Sequence, residues 1–239
     1  MHGWPFIILD GFISIDKKAV IIPVFNEEKK IGGLLDSVKS ALPEDSLIIV
    51  VDDGSTDGSF DIIKQKGVEE FRHSENRGKG SAIVSGLRKA KRLDCSFAVI
   101  MDGDGQHDPS DLEGFFRIMG RWDMVLGVRK FFGTEMPFLR KLSNVISSAA
   151  VSVLCRKRFH DVQCGYRAVN VEKALGIAAK SLKFEYEAEL LIDAARKGLL
   201  ITEVPVKTVY EPENFSKIKP FKDLCRFLFM YIRKIFKQC

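Results

Sequence analysis

Three short apolar runs constrain the fold most: residues 19–24 (AVIIPV), 47–51 (LIIVV) and 97–101 (FAVIM), followed by the polar clusters FNEE, DDGSTDGS and DGDGQHDP. A brief aliphatic run closed by turn chemistry reads as a strand covered on both faces. After the first, Ile31, Leu34, Leu35, Val38 and Leu42 recur at helical spacing, and Pro43 ends the helix predicted over 27–42. FDIIKQKG follows turn and N-cap chemistry, and NRGKGSAIVSGLRKAKRL reads as a loop feeding another helix. Strand and helix alternating in this way predict an α/β fold with a mostly parallel sheet flanked by helices. All three polar clusters then leave the C-terminal ends of strands, the edge where loops converge and ligands bind. They imply one site, not three.

Further along, WDMVLGVR predicts another strand and LITEVPV a late one. PFLRKLSNVISSAAVSVLC predicts a helix with Leu139, Leu142, Ile146, Ala149 and Val153 on one side, and FEYEAELLIDAARKG a helix closed by Gly198. The simplest division is an N-terminal extension (1–17), one domain (18–215) and a basic C-terminal segment (216–239). The opening residues suggest a hairpin or extra strand packed on the domain, or a membrane-touching flap. They carry no basic n-region or small-residue cleavage pattern, and no stretch of the chain has the length of a transmembrane helix. At 46% hydrophobic and 29% charged residues the chain can bury a large core, and a net charge of +5 is too mild to imply nucleic acid. Five cysteines with no C-x-x-C pair suggest neither a disulfide framework nor a zinc site, so a reducing, cytoplasmic setting fits.

Asp102, Asp104 and Gln106 alternate, so an extended segment places their side chains on one side. Oxygen donors of this kind suit Mg²⁺ or Mn²⁺, and Mg²⁺ keeps few protein ligands and completes its shell with substrate phosphates. Other readings stand beside this one. An EF-hand loop has the same spacing, but His107 occupies the position that requires glycine. An aspartate-nucleophile phosphatase also follows a strand with D-x-D, but Gln106 stands where its hydroxyl residue would be. A solvated acidic turn capped by Asp108 or Ser110 is compatible with metal binding. Neither a dinucleotide fingerprint nor a P-loop is present.

IIPVFNEE, VVDDGSTDGS, NRGKGSA and MDGDGQHDP, in that order, resemble family 2 glycosyltransferases of the GT-A fold. The likeness is to the branch of dolichol-phosphate mannosyltransferases and polyprenyl-phosphate glucosyltransferases, and it runs from residue 18 to about 222, through DVQCGYRAV, FEYEAELL and VPVKTVYEPENFSKI. The resemblance implies a metal-dependent, inverting transfer of a hexose from a nucleotide-sugar, GDP-mannose or UDP-glucose, to a polyprenyl or dolichyl phosphate. It implies a pocket lined by Pro23, Phe25 and Glu27, with Val51, Asp52 and Asp53 reading base and ribose, and with Lys79 and Gly103 in the same site. Asp102, Asp104 and Gln106 would hold Mg²⁺ or Mn²⁺ against the diphosphate, Arg129 would face the donor or acceptor phosphate, and Lys217 matches a phosphate-binding lysine. Two positions depart from the pattern: Phe25 replaces the more frequent tyrosine, and Glu211 stands where eukaryotic mannosyltransferases of this kind carry arginine.

A lipid phosphate is already anionic near neutral pH, so electrostatic holding outweighs general-base help. Arg129, Arg167 and Lys217 are the candidates for gripping it; for Arg167 an internal salt bridge that orders its loop is the alternative. Asp161 is the candidate carboxylate for orienting or activating the acceptor, with a turn or N-cap role as its alternative. Residues 216–239 combine Lys217, Lys219, Lys222, Arg226, Arg233, Lys234 and Lys237 with a broad apolar face, which predicts a basic amphipathic helix on the cytoplasmic face of a membrane. Packing on its own domain, on a second copy or on an integral membrane partner is the alternative. For the reaction, the alternatives are the same fold acting on a saccharide or protein hydroxyl, and the phosphatase.

Overall fold

The computed structural model describes residues 17–129, 138–177, 186–207 and Tyr231. The N-terminal extension, Lys217 and the predicted C-terminal helix, apart from Tyr231, lie outside the described residues. β1 (Lys17–Val24), α1 (Glu28–Ala41), β2 (Ser46–Asp52), α2 (Ser59–Gln65), β3 (Glu69–Arg72), α3 (Lys79–Arg92) and β4 (Cys95–Ile100) come first. They are followed by α4 (Leu112–Ile118), β5 (Met124–Arg129), α5 (Phe138–Cys155), β6 (Arg167–Asn170), α6 (Val171–Leu175), α7 (Tyr186–Arg196) and β7 (Ile201–Val206). These strands form one seven-stranded sheet in the order β3-β2-β1-β4-β6-β5-β7. The pairings are parallel except those of β6, which runs antiparallel to both β4 and β5.

The middles of β1, β2 and β4 are apolar because helices cover both faces of the sheet. One core layer joins Ile21, Ile49 and Val51 to Ile83 and Leu87 of α3 and to Leu190 and Leu191 of α7. The other joins Ile22, Val50 and Val99 to Ile31 and Leu35 of α1 and Phe115 of α4. The α1 stripe foreseen from periodicity is thus the buried one, with Ile31, Leu34, Leu35 and Val38 facing the sheet. α3 lies so close to β1 that a Cβ on Gly86 would stand 2.4 Å from Ile21 Cγ2. Gly86→Ala should therefore cost about 1–2 kcal/mol, the overpacking being only partly offset by better helix propensity. Chemical denaturation measures it, and an unchanged or raised midpoint would contradict the close approach.

Periodicity left the facing of α5 open, and the structure turns its apolar side outward. The apolar side noted in the sequence points to solvent: Leu142, Ile146, Ala149 and Val153 are exposed. The buried side carries Asn144, Ser147, Ser148 and Val151. The polar side turns inward because each of its polar groups finds a partner there, Asn144 at Asp161, Ser147 at Gln163 and Ser148 at the backbone of Val162. Among the described residues no helix is long and apolar enough to cross a membrane.

Candidate active site at the strand ends

Hydrogen bonds that continue the sheet carry the three polar clusters past the strand ends together. Asp53 N donates to Val24 O (2.8 Å), Met101 N to Ile21 O (3.0 Å) and His73 N to Asp52 O (2.9 Å). Asn26, at a φ of 54°, takes the left-handed conformation that asparagine tolerates. Its carboxamide oxygen accepts from Thr56 N at 2.9 Å, while Asn26 N and Glu27 N donate to the Ser55 and Ser59 hydroxyls. The loops after β1 and β2 are therefore stitched into one wall. At Gly103 an added Cβ would meet Pro23 O at 3.0 Å, so the loop after β4 lies directly against the end of β1.

Asp52 and Asp53 anchor the second wall. Asp52 pairs with Arg72 at 2.9 Å. Asp53 meets His73 Nδ1 at 2.6 Å and accepts from Arg77 N and Gly78 N, and His73 Nε2 lies 2.9 Å from the Ser85 hydroxyl. Beside them an open cleft of about 700 Å³ is lined by Gly54, Ser55, Thr56, Arg72, His73 and Ser74. Gly54 (φ +74°) is required there, since a Cβ would run into the backbone of Glu75 at 2.5 Å. Phe25 and Glu27 are partly buried at this edge. Val51, by contrast, is fully buried in the core layer under α3, so its side chain is not part of a pocket wall.

At the centre, Lys79 from the first turn of α3 lies 2.5 Å from Asp102 Oδ1 and 3.1 Å from Glu187 Oε1 of α7. Burial opposes the Lys79 charge, but Asp102 and Glu187 outweigh it and keep the ammonium protonated. Burial likewise opposes ionisation of Asp102, yet Lys79 overrides it and holds the carboxyl at about 2. Asp104 fares differently: burial, then the charge of Asp102, push it up to about 6. The backbone amide of Gln106 donates to Asp104 Oδ1 at 3.0 Å, which shapes the turn. His107, pushed down to about 4 mainly by burial and so neutral, stacks on Tyr166 with centroids 4.7 Å apart and accepts from Asp102 N through Nδ1. Asp108 caps the following turn by accepting from Ser110 N.

These donors fit a hard divalent cation. Asp102 and Asp104 are oxygen ligands, and a cation between them would relieve the repulsion that raises Asp104. Among the described residues no group of three His, Cys, Asp or Glu side chains could hold a metal, so the shell would be completed by Gln106, water or ligand oxygens. Because binding requires the carboxylate, Mn²⁺ affinity should fall as pH drops below about 6, by up to about tenfold per unit. The metal-free fold responds in the opposite sense. A carboxyl raised in the folded state contributes stability that is complete below its ordinary 3.8 and lost as pH rises through about 6. Calorimetric Mn²⁺ titrations on either side of that value check the first statement, and equal affinities would contradict it.

On the other flank, Arg129 at the end of β5 grips Asp161 through Nε (2.7 Å) and Nη2 (3.0 Å), and Asn144 donates to the same carboxylate at 2.8 Å. Asp161 is fully buried, whereas Arg129 keeps some exposure. Arg167 is fully buried and donates to the carbonyls of Cys164 (2.6 Å) and Glu187 (2.9 Å). It orders the loop before β6, as in the alternative to a phosphate-gripping role, but through backbone carbonyls in place of a salt bridge. That loop presses Gly165 against the centre, where a Cβ would meet Asp102 Oδ2 at 2.7 Å and Lys79 Nζ at 2.9 Å.

The structure thus brings Lys79, Asp102, Gly103 and Asp104 to the middle of the strand edge, with Asp52 and Asp53 on one flank and the Arg129–Asp161 pair on the other. Glu187, His73, Asn144 and Gly165 carried no assignment from the sequence. Glu187 alone left a signal, as an acid amid the apolar residues of YEAELL.

Comparison with known proteins gives the fold class and the family. The fold superposes with a TM-score of 0.69 on glucosyl-3-phosphoglycerate synthase from Mycobacterium tuberculosis, solved with Mn²⁺, UDP and glucosyl-3-phosphoglycerate, at 18% identity over 94% of this chain and 80% of that one. The chain is 31% identical to the UDP-N-acetylglucosamine–dolichyl-phosphate N-acetylglucosaminyltransferase of Methanococcus voltae, covering 90% of this chain and 96% of that protein. It is 29% identical to the undecaprenyl-phosphate mannosyltransferase of Micrococcus luteus, covering 83% and 86%. The profile described as Glycosyl transferase family 2 matches residues 19–175, so a GT-A-type fold, a strand-end acidic site and this match converge: the chain is a glycosyltransferase and belongs to glycosyl transferase family 2.

Proposed function

We propose that the enzyme moves a hexose from a nucleotide-sugar, of the GDP-mannose or UDP-glucose type, to a polyprenyl or dolichyl phosphate at the cytoplasmic surface of a membrane, with Mg²⁺ or Mn²⁺ at Asp102 and Asp104. The observation that carries this reading is the placement of the Lys79–Asp102–Asp104 cluster between a cleft flanked by Asp52 and Asp53 and the Arg129–Asp161 pair. Such an arrangement suits a nucleoside on one side, a diphosphate in the middle and an anionic acceptor on the other. The names of the Methanococcus and Micrococcus relatives support the acceptor class, and they widen the donor panel to UDP-N-acetylglucosamine.

The bound cation would neutralise charge developing on the diphosphate leaving group. Lys79 adds a second positive charge at the same place. The oxygens of Asp161 are engaged by Arg129 and Asn144, so this carboxylate acts by aiming Arg129 at the acceptor phosphate. Gln106 as a third metal donor and Lys217 as a further phosphate ligand belong to the same reading, as does single displacement with inversion. Incubation with labelled donor, Mn²⁺ and dolichyl phosphate should yield a lipid-soluble product. Label found only in water-soluble material, or no product with any of the three donors, would overturn the acceptor assignment.

A further inference from the structure

We propose that the outer face of α5 is a membrane-docking surface for anionic lipid. Leu142, Val145, Ile146 and Val153 are 44%, 59%, 54% and 77% exposed, values that separate this face from the rest of the covered sheet layers. The helix cannot roll to hide them. Its opposite face is tied to the 159–163 loop by Asn144 to Asp161, Gln163 to Ser147, Val162 N to Ser148 and Phe159 N to Ser152. A contiguous apolar face held outward in this way marks an interaction surface.

Charge selects the partner. α5 contains no Asp or Glu, Lys141 sits in its first turns, and Arg156 and Arg158 are exposed just past its end. An apolar stripe between basic residues matches the acyl and headgroup layers of an anionic bilayer and suits an acidic protein groove less well. Of the C-terminal segment, the described Tyr231 donates through its hydroxyl to the Ala150 carbonyl on the flank of the helix, and Leu142, Val145, Ile146 and Val153 are exposed beside that contact. This inference rests on the lipid-phosphate acceptor of the proposed function and extends it, because the buried side of the same helix holds Asp161 and through it Arg129. A bilayer on the outer side would stand about one helix diameter, ~10 Å, from the acceptor flank of the site.

The test is co-sedimentation of the full chain with vesicles of phosphatidylcholine and phosphatidylglycerol, in the absence of donor and acceptor. The triple variant V145E/I146E/V153E should bind at least about tenfold more weakly, since it removes apolar burial and adds repulsion. Its thermal midpoint and its Mn²⁺-dependent nucleotide binding should stay unchanged. Phe71→Glu, at an exposed aromatic (38%) on β3, at the opposite edge of the sheet from β7, should leave vesicle affinity unaltered. Unchanged vesicle affinity in the triple variant would overturn the proposal, and a fallen midpoint alongside it would identify the chain's own tail as the cover. A wild type that self-associates while the triple variant is monomeric and binds vesicles equally well would identify a second copy. Equal losses in the triple variant and Phe71→Glu would also overturn it. Vesicle binding needs no catalysis, so its failure is distinguishable from failure to make a lipid-linked sugar.

Discussion

Asp104→Asn is expected to lower metal-dependent turnover about a thousandfold, the loss of several kcal/mol of charge stabilisation on the leaving group. The fold should be unharmed. Asp104 is raised because its charge is forced into a buried place beside Asp102, so neutralising it removes repulsion. The amide oxygen of asparagine can still accept from Gln106 N, the bond that shapes the turn. Stability should therefore stay within about 0.5 kcal/mol of the wild type or rise slightly. Asp102→Asn should behave differently, because Asp102 balances Lys79 and its loss leaves the buried ammonium to Glu187 alone. Steady-state rates at saturating Mn²⁺, together with thermal midpoints, separate the two. Full activity in Asp104→Asn would remove the metal assignment.

The second large effect belongs to Asp161. Asp161→Ala removes a fully buried carboxylate and strands the donors of Arg129 and Asn144. Breaking a buried pair typically costs about 3–5 kcal/mol, and the residual exposure of Arg129 places this case near 3 kcal/mol. A thermal midpoint lower by roughly 6–12 °C follows for a chain of this size. Turnover should fall by more than about a hundredfold, since Arg129 loses the partner that fixes its direction. In a double-mutant cycle, adding Arg129→Ala to Asp161→Ala should cost little more than Asp161→Ala alone. Additive losses would show that the two side chains act independently and would contradict the aiming role.

Much of this architecture was legible because period and burial coincide in β1, β2, β4 and α1, and because each strand ends in turn chemistry. β3 and β6 were not. β3 is four residues, EEFR, with three of them exposed, and it exists as a strand only through its pairing with β2. β6 is equally short, opens with a buried arginine, and is built by antiparallel pairing between β4 and β5. Periodicity located the apolar stripe of α5 but not its direction, which depends on what Asn144, Ser147 and Ser148 meet across the fold. The site shows the same division. Asp102 and Asp104 stood out by spacing, whereas the Lys79 bridge to Glu187 joins residues from α3 and α7 that only the folded chain brings together.

The central claim is that Asp102 and Asp104 hold a divalent cation against a nucleotide diphosphate at the strand ends. Crystals grown with Mn²⁺ and UDP or GDP, measured for anomalous scattering, test it most directly. The account predicts a manganese peak at about 2.0–2.3 Å from carboxylate oxygens of both residues and in contact with the diphosphate. A bound nucleotide with both carboxylates turned away from any ion would contradict it.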